Sequence, residues 1–142
     1  MDKMMQRSVL MTSILDDFFD KGKNRKSNGQ VSYLNDRPSG SGQVKITAQI
    51  TGQVQGVGFR FSTMQVAQEL GIGGLVRNES DGSVYVEANA NPEAMDEFIE
   101  RLRLGPSPAA QVDRVEVTYD PDLKERDKFT QANWKNPFNQ LW

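Results

Sequence analysis

The chain has 142 residues, a length that suits one domain with room for flanking segments. Its 17 basic and 19 acidic side chains leave a net charge of −2, so composition favours no nucleic-acid partner. It contains no cysteine and no histidine, which excludes disulfides, thiolate nucleophiles and histidine-based proton transfer. We therefore expect no cofactor and no metal, and any catalysis must use carboxylate, hydroxyl, amide or guanidinium groups.

Residues 1–42 differ in pattern from the rest and are predicted to be an N-terminal extension. Apolar side chains spaced three and four apart over residues 4–19 indicate a short amphipathic helix, and the glycine- and serine-rich end of the extension predicts a flexible linker. The helix is interpreted as a weakly held appendage, with a weak partner contact through residues 1–20 as the alternative. No apolar stretch is long enough to span a membrane, so we expect a cytoplasmic protein that does not bind membranes.

A domain is predicted over residues 43–134, and its first half contains a strand, a loop and a helix. Alternating apolar and polar side chains from Val44 to Val54 predict the strand. A glycine-containing loop follows it. The helix is indicated by four residues at positions i, i+3, i+4 and i+7, with Gly71 as its C-terminal cap. The four are Thr63, Val66, Ala67 and Leu70.

The second half of the domain begins with a predicted hairpin. Strands are expected over residues 74–78 and 83–89, joined by a two-residue turn at Asp81-Gly82. Asn91 is expected to cap a second helix that begins at Pro92 and ends near residue 103.

A fourth strand is indicated by the alternating residues Val115 and Val117, with Val112 nearby. Residues 129–134 form a further, short edge strand in one interpretation, and residues 135–142 are a C-terminal tail. The order β-α-β-β-α-β predicts an α+β, ferredoxin-like two-layer sandwich. Its antiparallel sheet would carry two helices on one face.

The loop after the first strand has the pattern of an anion-binding site. It reads Gly52-Gln53-Val54-Gln55-Gly56-Val57-Gly58-Phe59-Arg60. Glycines allow positive φ, so successive N–H groups can converge on an anion, and a helix that starts nearby adds further N–H groups. The guanidinium of Arg60 matches two phosphate oxygens. The spacing fits neither a Walker loop nor the dinucleotide-binding pattern, so we predict a different phosphate cradle.

This segment resembles the signature of the acylphosphatase family. The match continues in order through Ala67-x-x-Leu70-Gly71 and Gly74-x-Val76-x-Asn78-x-x-Asp81-Gly82-x-Val84, then Phe98, Leu102, Gly105-Pro106, Ala110 and Val112. It covers roughly residues 44–119. The chain departs from the family at Leu75, where tryptophan is common, in its N-terminal extension, and beyond Phe129, where the family's last strand is not clearly recognisable.

The resemblance implies metal-independent hydrolysis of acyl phosphates to a carboxylate and inorganic phosphate, without a covalent enzyme intermediate. By position, Arg60 would bind the phosphate together with backbone amides of the loop, and Asn78 would hold the attacking water. The loop residues are Gln55, Gly56, Val57, Gly58 and Phe59. The chemistry agrees, since phosphoryl transfer to water mainly requires positioning and charge stabilisation.

Other interpretations remain at this point. Arg60 alone is compatible with an ordinary surface arginine, and Asn78 with a residue that only shapes the hairpin. The alternative function is a non-catalytic module that binds phosphate or a partner and retains the same fold. Membership of a larger carbamoyl-transfer protein would require further domains and cysteine chemistry. RNA binding would require stacking aromatics, and Tyr85 is the only aromatic residue in the two probable central strands.

Overall fold

A computed structural model describes residues 29–40 and 42–132, which form six strands and two helices. The strands are β1 (Gln30–Tyr33), β2 (Val44–Gln53), β3 (Gly73–Asn78), β4 (Val84–Ala90), β5 (Gln111–Tyr119) and β6 (Phe129–Ala132). The helices are α1 (Phe59–Leu70) and α2 (Pro92–Leu104). The helix predicted over residues 4–19 and the tail predicted over residues 135–142 lie outside the described residues.

The six strands form one mixed sheet in the order β1-β5-β2-β4-β3-β6. The four central strands pair antiparallel, as predicted. The two outer strands pair parallel, β1 with β5 and β6 with β3. The α+β class is therefore confirmed, whereas the expectation of a fully antiparallel sheet is wrong at both edges. The direction of the outer strands could not be predicted because each is four residues long, too short for its pattern to specify a partner or a direction.

Strand β1 lies within the segment that sequence analysis assigned to the extension. The backbone N–H of Gly29 donates to the Arg103 carbonyl over 3.1 Å, and a Cβ added at Gly29 would lie 2.5 Å from Cγ1 of Val112. After β1, the side-chain amide of Asn35 bonds both backbone groups of Tyr119, over 2.8 and 2.9 Å. Residues 29–35 are therefore attached to the domain, so a boundary at residue 43 omits one strand of the sheet.

The hydrophobic core lies between the helices and one face of the sheet. Alternate residues of the central strands enter it, and both helices contribute an apolar stripe. At the β6 edge, the rings of Phe98 and Phe129 meet edge to face with centroids 5.9 Å apart. The largest fully buried side chains include Ile46, Ile50, Val76, Val84, Val86, Val115, Phe59, Met95, Phe98 and Leu102.

The predicted helix caps are observed. Gly71 ends α1 in the left-handed conformation with φ 71°, and its N–H contacts the carbonyls of Ala67 and Gln68. The Asn91 side chain accepts from the Ala94 N–H over 2.8 Å at the start of α2. Within the described ranges, no helix is long and apolar enough to cross a membrane. A cytoplasmic location stays a prediction of the sequence.

The turn between β3 and β4 differs from the predicted two-residue turn at Asp81-Gly82. Gly82 N–H donates to the Glu79 carbonyl over 3.2 Å, so Ser80 and Asp81 are the central residues and Gly82 follows with φ 95°. A two-residue turn of the expected type needs positive φ at Asp81, which the structure does not have. Instead, the Asp81 carboxylate accepts from the N–H and hydroxyl of Ser83, and these bonds lower the pKa of Asp81.

Candidate active site

The loop between β2 and α1 turns on two glycines in the left-handed conformation. Gly56 has φ 75° and Gly58 has φ 78°, values that other residues rarely adopt. Gly58 is also the N-cap of α1 and supplies no side-chain bond to the helix. The first N–H groups of a helix have no acceptor within the helix. The local sequence therefore presents a set of N–H donors at the start of α1, where the helix dipole attracts an anion.

A cavity of 150 Å³ opens at this helix start. Its lining combines the loop, the first turn of α1, the end of β3 and one residue of β6. The lining residues are Val54, Gly56, Gly58, Phe59, Arg60, Phe61, Asn78 and Gln131. Arg60 and Asn78 are eighteen positions apart, and the fold brings both to this cavity. The predicted phosphate-binding and water-binding residues thus share one site.

Strand geometry explains how Asn78 reaches the cavity. Side chains alternate between the two faces of a strand, so Asn78 lies on the same face as Val76, which is fully buried beneath the helices. Asn78 is the last residue of β3 and therefore extends this face to the edge of the core, beside the start of α1. Arg77 lies on the opposite face, where its guanidinium stands 4.3 Å from the centre of the Tyr85 ring.

The Asn78 side chain has an unsatisfied acceptor. Its Oδ1 atom is buried and has no hydrogen-bond partner among the described residues. Burying such an atom without a partner costs about 1–3 kcal/mol, so native structures usually provide one. A water molecule in the adjoining cavity would satisfy it, and a cavity of this size has room for one.

The charge of the site favours an anion. Arg60 carries a permanent positive charge, and its Nη1 donates to the Ala132 carbonyl over 3.4 Å. None of the described residues that line the cavity is acidic. The first turn of α1 also contains no acidic residue. Glu79, which follows Asn78, is paired with the Arg77 guanidinium over 2.7 Å.

Not every predicted residue lines the cavity. Gly56, Gly58, Phe59, Arg60 and Asn78 do, whereas Gln55 and Val57 do not. The Gln55 side chain instead donates to two carbonyls of the turn after β3. The binding roles predicted for the backbone amides of these loop residues therefore stay predictions.

Sequence analysis did not assign three of the lining residues to the site, namely Val54, Phe61 and Gln131. Phe61 follows Arg60, and this residue is 53% exposed beside the cavity. Exposure of an aromatic side chain cannot be read from the sequence, so no sequence signal marks Phe61 as a lining residue. Gln131 lies in β6, a strand of four residues that offers no pattern from which to assign its face.

The acylphosphatase family model matches residues 46–131. The acylphosphatase of Enterococcus faecalis is 46% identical over 85 residues, 60% of this chain and 93% of that protein. The crystal structure of acylphosphatase from Bacillus subtilis has a TM-score of 0.58 and 31% identity, covering 61% of this chain and 94% of that one. T. kodakarensis HypF has a TM-score of 0.56 and 28% identity, covering 62% of this chain and 12% of HypF.

These similarities identify the fold as that of an acyl phosphate hydrolase, because the family model spans more than half of the chain. The chain belongs to the acylphosphatase family. The family and the activity predicted from the sequence, hydrolysis of acyl phosphates, are thereby confirmed. HypF shares only one part of its length with this chain, and that part is the same fold.

Proposed function

We propose that the chain hydrolyses small acyl phosphates in the cavity at the start of α1, with Arg60 and Asn78 as its catalytic residues and without a metal ion. The observation that carries this proposal is that one cavity joins a permanent cation, a helix N-terminus and the unsatisfied Oδ1 of Asn78. The central strand order β5-β2-β4-β3 supports classing the domain as ferredoxin-like.

The phosphoryl group is bound at the loop. Backbone N–H groups over residues 55–60 and the Arg60 guanidinium donate to its non-bridging oxygens, where negative charge is concentrated. The backbone donors are held by the glycine turns before the substrate arrives, so they stabilise the charge of the transition state without reorganising.

Asn78 holds the attacking water. The water donates to Oδ1, which the described residues leave without a partner, and its oxygen accepts from the Asn78 amide. The oxygen then bonds to phosphorus, and the bond between phosphorus and the acyl oxygen breaks. The carboxylate leaves with the electron pair, and a proton of the water passes to a phosphate oxygen. Inorganic phosphate and a carboxylate are the products.

This reaction suits a chain without histidine or cysteine. A carboxylate is a good leaving group, so the reaction depends on positioning and electrostatics more than on a strong base. Within the described ranges, no group of three or more acidic side chains could hold a metal ion.

The exposed ring of Phe61 supports an orientation for the substrate. With the phosphoryl group bound at the loop, the acyl group extends out of the cavity along this apolar surface. An acyl phosphate with an aromatic acyl group therefore has a contact that acetyl phosphate lacks.

Release of inorganic phosphate from acetyl phosphate tests the proposal. We expect turnover by the full chain, competitive inhibition by inorganic phosphate, and loss of turnover in Arg60→Ala. A chain that binds inorganic phosphate but releases none from acetyl phosphate would be the non-catalytic phosphate-binding module. Arg101→Ala is a matched control, because Arg101 lines a separate groove between the helices.

A further inference from the structure

We infer that the side chain of Gln55 is a positioning residue, which fixes the water-binding Asn78 relative to the phosphate-binding loop. The inference rests on the proposed roles of these two elements and adds a role for a side chain that does not line the cavity. Gln55 acts through the main chain of the turn that follows Asn78.

The contacts of Gln55 are specific. Its Nε2 donates to the carbonyl of Glu79 over 2.8 Å and to the carbonyl of Ser83 over 2.8 Å. A primary amide nitrogen carries two N–H groups, so both are used. Gln55 lies in the loop that leads to Arg60, and Glu79 is bonded covalently to Asn78. One side chain therefore connects the two halves of the cavity.

The acceptor side of this connection is rigid. The N–H of Glu79 donates to the Ser83 carbonyl over 2.8 Å, which closes the turn at the residues that Gln55 holds. The Ser83 hydroxyl is bonded in turn to Gln49 of β2 and to Asp81. Several hydrogen bonds therefore restrain the turn, and Gln55 couples the position of the turn to that of the loop.

The consequence concerns the reacting atoms. In-line attack requires the water oxygen on Asn78 to face a phosphorus atom whose place is set by the loop and Arg60. Among the described residues, no group donates to the Oδ1 of Asn78, and the link from the loop through Gln55 reaches Asn78 by way of the main chain of Glu79. A misplacement of about 1 Å between reacting groups can reduce a rate roughly 100-fold.

A double-mutant cycle tests this coupling in the full chain. Gln55→Met keeps the length of the side chain and removes both donors, and Gln55→Glu keeps its shape but sets an acceptor against two carbonyls. Each is combined with Asn78→Ala, and Gln53→Met serves as a control on an exposed glutamine of β2. The measurements are kcat and KM for acetyl phosphate, the inhibition constant of inorganic phosphate, and the melting temperature.

We expect Gln55→Met to lower kcat by about tenfold to 100-fold, with a much smaller change in the inhibition constant of phosphate. In the Asn78→Ala background the same substitution should change kcat less than about twofold, because the group it positions is gone. Gln55→Glu should lower kcat at least as far as Gln55→Met, and Gln53→Met should leave it unchanged.

Equal losses in both backgrounds would overturn the inference, since Gln55 would then only stabilise the fold. Wild-type kcat in either folded Gln55 variant would overturn it as well. Wild-type kcat in Asn78→Ala alone is a different result. It would reject the proposed water-binding role itself and, with it, a coupling to that role.

Discussion

The Arg60 guanidinium donates from Nη1 to the backbone carbonyl of Ala132 over 3.4 Å. Arg60 lies in the first turn of α1 and Ala132 ends β6, the outer strand next to β3. A carbonyl acceptor of this kind restrains a long side chain at the edge of the cavity that Arg60 lines. The edge strand therefore helps to orient the residue on which phosphate binding is proposed to depend.

Replacement of Arg60 should abolish most of the activity. Arg60→Ala removes the charged donors to the transition state, and we expect kcat/KM for acetyl phosphate to fall about 100-fold to 1000-fold. Arg60→Lys should remain strongly impaired, because an ammonium group lacks the planar fork. Circular dichroism verifies the fold, and Arg101→Ala should match the wild type. A folded Arg60→Ala protein with near wild-type kcat/KM would reject the site.

Replacement of Asn78 should separate catalysis from phosphate binding. Asn78→Ala removes the groups proposed to hold water, so kcat should fall by at least about tenfold while inhibition by inorganic phosphate persists. Steady-state kinetics with phosphate as the inhibitor measures both quantities. If inhibition were lost and kcat retained, Asn78 would bind phosphate rather than water.

The cradle glycines offer a test with an internal control. Gly58 and Gly71 have φ 78° and 71°, and an added Cβ would meet no atom within 4 Å at either position. Alanine at either site should therefore destabilise the fold by a similar amount, about 1–2 kcal/mol, through backbone strain alone. Denaturant unfolding measures this. Only Gly58→Ala should also weaken inhibition by phosphate, and an equal effect from Gly71→Ala would argue against a loop-specific role.

The elements with long periodic patterns were predictable, and those held by single contacts were not. Strands β2 to β5 and both helices follow from alternation and helical spacing over six residues or more. Strand β1 depends on the fit of Gly29 against Val112 and on Asn35 at the backbone of Tyr119, and neither pairing has a local signal. In the site, the glycine-containing motif indicated Arg60, and the resemblance to the family indicated Asn78. The contacts of Gln55 and Gln131 depend on how distant segments pack.

Activity should be insensitive to chelators and to enzyme ionisation near neutral pH. Hydrogen bonds from Ser83 lower the carboxyl pKa of Asp81, and hydrogen bonds from Arg103 lower the carboxyl pKa of Glu100. Burial raises the phenol pKa of Tyr33 and Tyr85. These directions move all four groups away from the range between about pH 5 and 8. Arg60 stays charged and Asn78 does not titrate.

To test this prediction, kcat/KM is compared between about pH 5 and 8 for two acyl phosphates of different phosphate pKa, with and without EDTA. Any inflection should follow the ionisation of the substrate phosphate. An inflection common to both substrates would indicate a titrating enzyme group, and inactivation by EDTA would indicate a metal ion.

The N-terminal boundary can be located by two truncations. Removing residues 1–42 deletes β1, the packing of Val31 against the core and the two bonds of Asn35, whereas removing residues 1–28 keeps them. We expect the longer deletion to melt at least about 4 °C below the shorter one, the shift that roughly 1 kcal/mol produces in a small domain. Equal melting temperatures of the two truncated proteins would place the N-terminal boundary of the domain at residue 43.

Strand β1 also has a consequence for how copies of the chain behave toward one another. Strand β5 has nine residues, and β1 covers only the stretch from Arg114 to Val117 on its outer side. An uncovered strand of that length would present a row of free N–H and C=O groups to any other extended chain. Strand β1 pairs with the middle of this row through backbone of the same molecule. Its four residues therefore leave fewer free N–H and C=O groups on β5 for edge-to-edge aggregation.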